Sequence, residues 1–357
     1  MDAPVAQPPG AAPAFNTAAR IEPFKFSGSG SEYFRIWIVN LLLTILTLGI
    51  YSAWAKVRRL RYFYGSTQLA GSSFEYHGRP LQILKGRLLA AALLIPYFLA
   101  AWFFPPWDVL FVIAFLIALP FLVVKSRLFG MRMTSWRNIR FDFAGTYGAA
   151  AKTYLGLMLL VFITFGLAAP YWLYARQKFL IGQTRLGTTQ FDFRARAGEY
   201  YTAIILGGFA IVGGVVVGLL LSMPLSDDVK ITGLPGFDLR SIVMIPIVGL
   251  GYLFGFAVMN AGTRNAAFDN TYIGPHKLSC KLRVLQLFWV YVTNGLAAVA
   301  TLGLLIPWAQ VRLTRYQLSS MQLYVNGDLD EFVGVQQSQV AATGQELGDL
   351  LDVDFGL

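Results

Sequence analysis

Apolar positions fall into seven long runs separated by short, polar, aromatic-rich segments. The runs are Phe34–Tyr51, Leu88–Phe104, Trp107–Val124, Tyr154–Pro170, Thr202–Leu221, Ile242–Met259 and Leu285–Ile306. A membrane-crossing helix needs about 20 consecutive, mostly apolar residues. The runs have 17 to 22 residues, and the first and fourth are read as less secure than the others. Between the runs a second pattern recurs. Thr67-QLAGSS-Phe74-Glu-Tyr76 matches Thr134-SWRNIR-Phe141-Asp-Phe143 and Thr184-RLGTTQ-Phe191-Asp-Phe193, and less closely Thr271-YIGPHK-Leu278-Ser-Cys280. Aromatics alternating around a turn-prone middle predict small β-hairpins. Each strand is too short to stand alone, so the pieces should pack on one another or on the neighbouring basic helices. Phe24-Lys-Phe26-Ser-Gly28 reads as the same aromatic strand without its first half.

The runs also repeat. Asn40–Tyr62 (NLLLTILTLGIYSAWAKVRRLRY) aligns without a gap on Asn294–Tyr316 (NGLAAVATLGLLIPWAQVRLTRY), with 11 identities in 23 positions. A weaker third copy begins at Thr164 (TFGLAAPYWLYARQKF). Such self-similarity predicts a repeated architecture: aromatic strand, hydrophobic helix or helices, basic helix, short strand, five times over. The expected fold is an all-α polytopic membrane protein of about seven hydrophobic helices. Short β-hairpin pieces and basic amphipathic helices lie at its membrane surface. Residues 1–22 read as a disordered tail, 23–325 as the repeated membrane domain, and 326–357 as an acidic, disordered tail. The first 23 residues lack the apolar core of a secretory signal, so the first run is the expected insertion signal.

Composition supports the bilayer. Of 357 residues, 56% are hydrophobic and 13% charged, and the mean hydropathy is +0.55. Soluble domains carry roughly 25% charged residues. The net charge is +10, and the seven acids beyond Arg315, where no Lys or Arg occurs, leave a body near +17. In this setting basic residues mark the cytoplasmic flanks of spans and attract anionic lipids. Membrane lipids are therefore the expected partners, and nucleic acid is not.

Charge also sets orientation. Arg79, Lys85 and Arg87 precede the second run, and Lys125, Arg127 and Arg132 follow the third. The linkers Pro105–Asp108 and Ser222–Arg240 are poor in Lys and Arg, so they are expected outside. The single runs 34–51, 154–170 and 285–306 have basic residues on both sides. Each either crosses fully or folds back at its TLG or TFG as a re-entrant hairpin. Charge favours the second and the length of run 285–306 the first.

The Phe24-Lys-Phe26-Ser-Gly28 start, TLGIYSAWAKVR (Thr47–Arg58) and TLGLLIPWAQVR (Thr301–Arg312) together resemble the YjgN family, a domain of unknown function (898). The resemblance covers roughly residues 22–325. It implies a multi-pass protein of the bacterial cytoplasmic (inner) membrane and supplies no activity, substrate or catalytic residue.

Among individual residues, Asn40 and Asn294 sit in apolar runs at equal distance from TLG. With Thr47 and Thr301 they form a candidate polar core, or simply hydrogen-bond between helices; a symmetric Asn–Asn contact is the specific expectation. Arg58, Arg59, Arg61 and Trp54, with Arg312, Arg315 and Trp308, form a candidate lipid-headgroup surface, or anchor helices by snorkelling. Glu75, Asp142 and Asp192 should point away from the aromatic face, solvated or paired with Arg. Gly214-VVV-Gly218 and Gly251-YLF-Gly255 predict close helix packing. Apart from Asp108 at the outer end of the third run, no Asp, Glu or His lies inside any run, which argues against an ion-coupled pump. Lone Cys280 excludes an intrachain disulfide and a thiolate cluster. GxSxG, HExxH and Walker A motifs are missing, so no enzyme, metal or cofactor is expected. The preferred reading is non-enzymatic binding or passage of a small or lipidic ligand. A membrane scaffold comes second and a membrane enzyme third.

Overall fold

The computed structural model describes residues 20–103, 107–223 and 239–344. The four hairpins form where the alternation places them: β3 (Thr67–Leu69) with β4 (Ser72–Tyr76), β5 (Thr134–Trp136) with β6 (Ile139–Phe143), β7 (Thr184–Leu186) with β8 (Thr189–Phe193), and β9 (Thr271–Ile273) with β10 (His276–Cys280). Two-residue turns close them. Both central residues have positive φ at Ala70–Gly71 and at Arg137–Asn138, and Gly187 and Gly274 supply it in the other two. Such turns match the right-handed twist of paired strands.

The hairpins are not isolated surface pieces. They join β1 (Arg20–Pro23), β2 (Lys25–Phe26) and β11 (Met321–Val325) in one eleven-stranded sheet ordered β1-β11-β10-β9-β8-β7-β6-β5-β4-β3-β2. All pairs are antiparallel. Only Phe24 separates the two edge strands in the chain, and its N–H donates to the Met321 carbonyl at 3.1 Å. One N-terminal segment thus pairs with β11 by its first half and with β3 by its second, and the sheet closes into a barrel-like ring.

This corrects the seven-helix, all-α expectation. A two-stranded hairpin leaves two unpaired edges and is marginal in water. Closure pairs those edges and encloses a core. Inward residues at every second position fill it: Leu69, Trp136, Ile139, Leu186, Leu278, Leu323 and Val325 are buried together, with Phe24, Phe74, Phe141 and Phe191 packed on them.

The helices leave and re-enter at the rim opposite the tight turns. They are α1 (Gly30–Leu46), α2 (Ser52–Gly65), α3 (Pro80–Phe103), α4 (Trp107–Arg132), α5 (Tyr147–Ala151), α6 (Leu157–Ile163), α7 (Ala169–Gly182), α8 (Ala197–Ser222), α9 (Leu239–Asp269), α10 (Val284–Ala300) and α11 (Ile306–Ser319). A π-helical turn, Lys152–Gly156, joins α5 to α6. Thr67, Thr134, Thr184 and Thr271 open their strands and donate their hydroxyls to the carbonyls of Phe63, Gly130, Leu180 and Ala267. Each thereby satisfies a carbonyl that the ending helix leaves free.

Among the described residues three helices are long and apolar enough to cross a membrane: Val109–Arg132, Ala197–Ser222 and Val243–Asp269. The expected count of seven is not met. Tyr147–Ile163 and Val284–Ala300 are shorter apolar helices, and α1 has 17 residues. Each ends at its TLG or TFG, where the chain reverses. Helices α8 and α9 lie close at their glycines: a Cβ on Gly214 would stand 2.5 Å from the Gly251 Cα.

The last helix among the described residues, α12 (Leu329–Gly344), forms within the segment 326–357 read as an acidic disordered tail; residues 345–357, and residues 1–19 of the expected N-terminal tail, lie outside the described residues. The helix covers the tight-turn end of the barrel. Val333 is buried in the barrel core, with Leu329 and Phe332 against it. Gln336 accepts the backbone N–H groups of Thr188 and Thr189. Asp330 takes the Arg137 guanidinium at 2.5 Å. Apolar residues at 329, 332 and 333 share one helical face, which is why an acidic segment still docks.

Candidate functional site

The three reversals share one geometry. Leu48, Phe165 and Leu302 have φ of 50°, 50° and 51°, and Gly49, Gly166 and Gly303 have φ of 92°, 90° and 90°. The glycine N–H returns to the carbonyl five residues back, of Thr44, Val161 and Ala298. This is a helix-ending motif of the Schellman kind. Leu or Phe at positive φ is uncommon and strained. These same three residues are 95%, 98% and 96% exposed, so protein leaves an apolar tip uncovered at each reversal.

Thr47 and Thr301 serve these turns. Each donates its hydroxyl one turn back, to Leu43 and Ala297, and accepts the N–H of Tyr51 or Leu305. Thr164 does the same between Leu160 and Ala168. Their polar atoms are engaged locally, at the tips.

Among the described residues no hydrogen bond joins Asn40 to Asn294. Asn294 donates to the Ala309 carbonyl of α11 at 3.1 Å, and its Oδ1 accepts from Arg312 at 3.2 Å. It ties α10 to α11 within one hairpin. Asn40 is buried with an unpartnered Oδ1. It lines a cavity of about 310 Å³ with Lys56, Arg59, Arg87 and Gln310.

The basic residues divide into two roles. Arg61 and Arg315 donate to the carbonyls of Gly78 and Gly28, at 3.2 and 2.6 Å, and tie α2 and α11 to the segments that lead into α3 and α1. Arg312 lies over the Trp308 ring at 5.2 Å and bonds Thr293 and Asn294. Trp308 rests against Gly30, where a Cβ would meet its ring at 2.7 Å. Trp54 packs beside buried Ala53 and Val57. Arg58 is exposed and stands 6.0 Å from the Tyr51 ring. Of this set, Arg59 alone lines a cavity with Asn40.

Sequence reasoning did not single out one group of four cations in the helical layer. Lys56, Arg87, Arg127 and Arg176 line a cavity of about 590 Å³ between α2, α3, α4 and α7. Among the described residues no Asp or Glu lines either cavity. Acids cluster instead at the barrel. Asp142 pairs with Arg132 at 2.9 Å, Asp192 with Arg194 at 2.6 Å, and Glu75 lies 3.6 Å from His77. One signal for the cleft was present in the chain. Arg127 and Arg176 stand seven and eight residues before the threonines that open β5 and β7.

A closed ring of short strands that carries helical hairpins on one rim, three of their helices apolar and long enough to cross a membrane, defines the class. No solved structure matches the chain. A family model described as "Bacterial protein of unknown function (DUF898)" matches residues 21–350, and the chain belongs to that family. The match includes α12. "Inner membrane protein YjgN" of Salmonella typhimurium is 24% identical over 356 residues, spanning 85% of this chain and 88% of the relative. The proteins of that name from Escherichia coli K12 and O157:H7 are 33% identical over 126 residues. That match covers 34% of this chain and 30% of each relative.

Proposed function

We propose that the chain is a multi-pass protein of the bacterial inner membrane, a five-unit repeat that binds a small or lipidic ligand and catalyses no reaction. In this reading the helical pairs α3/α4 and α8/α9 cross the bilayer. The pairs α1/α2, α5–α6/α7 and α10/α11 enter and return. The barrel stands on the cytoplasmic side. The uncovered apolar tips at Leu48, Phe165 and Leu302 carry this reading. Water exposure of a large apolar side chain forgoes about 1.5–3 kcal/mol of burial, and hydrocarbon removes that cost. The flanking charges agree: Arg79, Lys85, Lys125 and Arg132 gather on the barrel side of the α3/α4 pair. Two cavities open between the helical hairpins, which supports a ligand in the helical layer.

Single-cysteine labelling tests the arrangement in a background lacking Cys280. Positions 25 and 67 should label from the same side as positions near Arg61 and Arg132, and positions near Asp108 and Asp228 from the other. Opposite labelling of 25 and 67 ends the re-entrant reading, and reversed labelling overall ends the orientation.

A further inference from the structure

The cleft of Lys56, Arg87, Arg127 and Arg176 holds positive charge that the protein itself does not balance. The Nε atoms of Arg127 and Arg176 are buried and lack a hydrogen-bond partner. Burying a polar cationic group without a partner is costly. Other arginines are satisfied: Arg132 and Arg137 reach Asp142 and Asp330, and Arg61 and Arg315 reach backbone carbonyls. The Nε atoms of Arg185 and Arg264 are also buried without a partner, but Arg127 and Arg176 bring two such atoms to one cleft, where α7 joins α2, α3 and α4.

Position supplies a second argument. Arg127 stands seven residues before the Thr134 that opens β5. At 1.5 Å per residue that is about 10 Å above the barrel rim. Leu122 and Val123, which also line the cleft, lie about 6–8 Å further along the same helix, away from the barrel. Phe129 and Leu180 line the cleft nearer the rim than Arg127 and Arg176 do, so the cations form a band with apolar walls on either side. A ligand matching that arrangement has an anionic head and a hydrocarbon body. Guanidinium groups suit phosphate oxygens because their paired N–H donors match them bidentately.

We propose that this cleft is a binding site for a phosphate-bearing amphiphile, with the phosphate among Lys56, Arg87, Arg127 and Arg176 and a hydrocarbon chain along Leu122 and Val123. The site deepens the ligand-binding reading above and names its chemistry. It rests on the helical layer lying in the bilayer. An anionic phospholipid of the surrounding membrane and a soluble phosphate compound share the head chemistry, and only the first uses the apolar wall.

The test is native mass spectrometry of the full chain, delipidated in detergent and titrated separately with phosphatidylglycerol, phosphatidylcholine and inorganic phosphate. Phosphatidylglycerol should bind at least tenfold more tightly than phosphatidylcholine, and inorganic phosphate should not displace it. Arg127→Gln and Arg176→Gln should each lose about tenfold in that affinity. Arg127→Lys, which keeps the charge, should lose less, and Arg140→Gln on the outer barrel wall should lose nothing. Melting curves identify variants that fail to fold, and Arg87→Gln, altered at an exposed lining position, then replaces them. Equal retention of both lipids, or folded cleft variants with unchanged binding, overturns the site. Full displacement by inorganic phosphate overturns the amphiphile and leaves a soluble phosphate ligand. Selective lipid binding combined with reversed cysteine labelling would remove the topology and spare the cleft. Correct labelling without selective binding would do the opposite.

Discussion

Phe332 of α12 meets His276 of β10 edge to face, with ring centroids 4.9 Å apart and planes at 89°. The contact joins a C-terminal helix to the floor of a barrel whose strands are drawn from most of the chain. Around it, Val333 is buried and Arg137 holds both the Asp330 carboxylate and the Ala70 carbonyl. The helix closes the tight-turn end of the barrel, opposite the helical hairpins.

Removing residues 327–357 should therefore destabilise the barrel. Val333→Ala should lower its unfolding free energy by about 1.5–3 kcal/mol, the worth of a buried aliphatic side chain. Asp330→Ala should cost less than about 1 kcal/mol, because its carboxylate is 80% exposed and solvent screens the pair. Denaturant unfolding of the purified protein gives both values. A larger effect at Asp330 than at Val333 would mean that charge, not burial, docks the helix.

His276 gives the floor a pH dependence. The residue is 1% exposed, its Nδ1 accepts the Asn326 N–H at 3.3 Å, and its Nε2 has no partner. Burial lowers its pKa from the usual value. The unfolded chain then takes up a proton before the folded one does. His276 should contribute no penalty above about pH 6.5, its ordinary pKa, and a growing one as pH falls from there toward its folded value. Comparing the pH profile of melting temperature with that of His276→Gln isolates the effect. Parallel profiles between pH 7 and 5 would show that the imidazole is not held neutral.

The two repeat asparagines should behave differently. Asn294 makes hydrogen bonds through both side-chain atoms, so Asn294→Leu should lower stability by about 0.6–2 kcal/mol, the range for interhelical bonds in membranes. The Oδ1 of Asn40 is buried and unpartnered. Replacing such a group with an apolar one is close to neutral or stabilising, so Asn40→Leu should leave the melting temperature unchanged or raise it. Equal losses at both positions would mean that they do the same structural job.

Much of the local structure was legible. The β-hairpins span the residues expected, because strand alternation and positive-φ turn positions are both local properties. Ala70–Gly71 and Gly274 show this at the level of single residues. The re-entry question could not be decided that way. The Leu48, Phe165 and Leu302 turns are local, but their exposure depends on what packs above them. The cleft was illegible for a similar reason. Lys56 and Arg176 lie 120 residues apart in the chain and meet only because α2 and α7 flank the same helical pair.

The sequence by itself determined a family member with apolar helices, basic returns and short aromatic hairpins, since apolar run length and strand periodicity act within a few turns of chain. Tertiary structure alone decided that the hairpins close into one ring through residues 20–26, that an acidic tail docks as α12, and that four distant cations share a cleft. Strand pairing such as Tyr76 with Thr134 spans an entire helical insertion. Backbone groups at a strand edge require a partner, but the requirement does not say which distant strand will supply it. Only the closed packing of all the strands does.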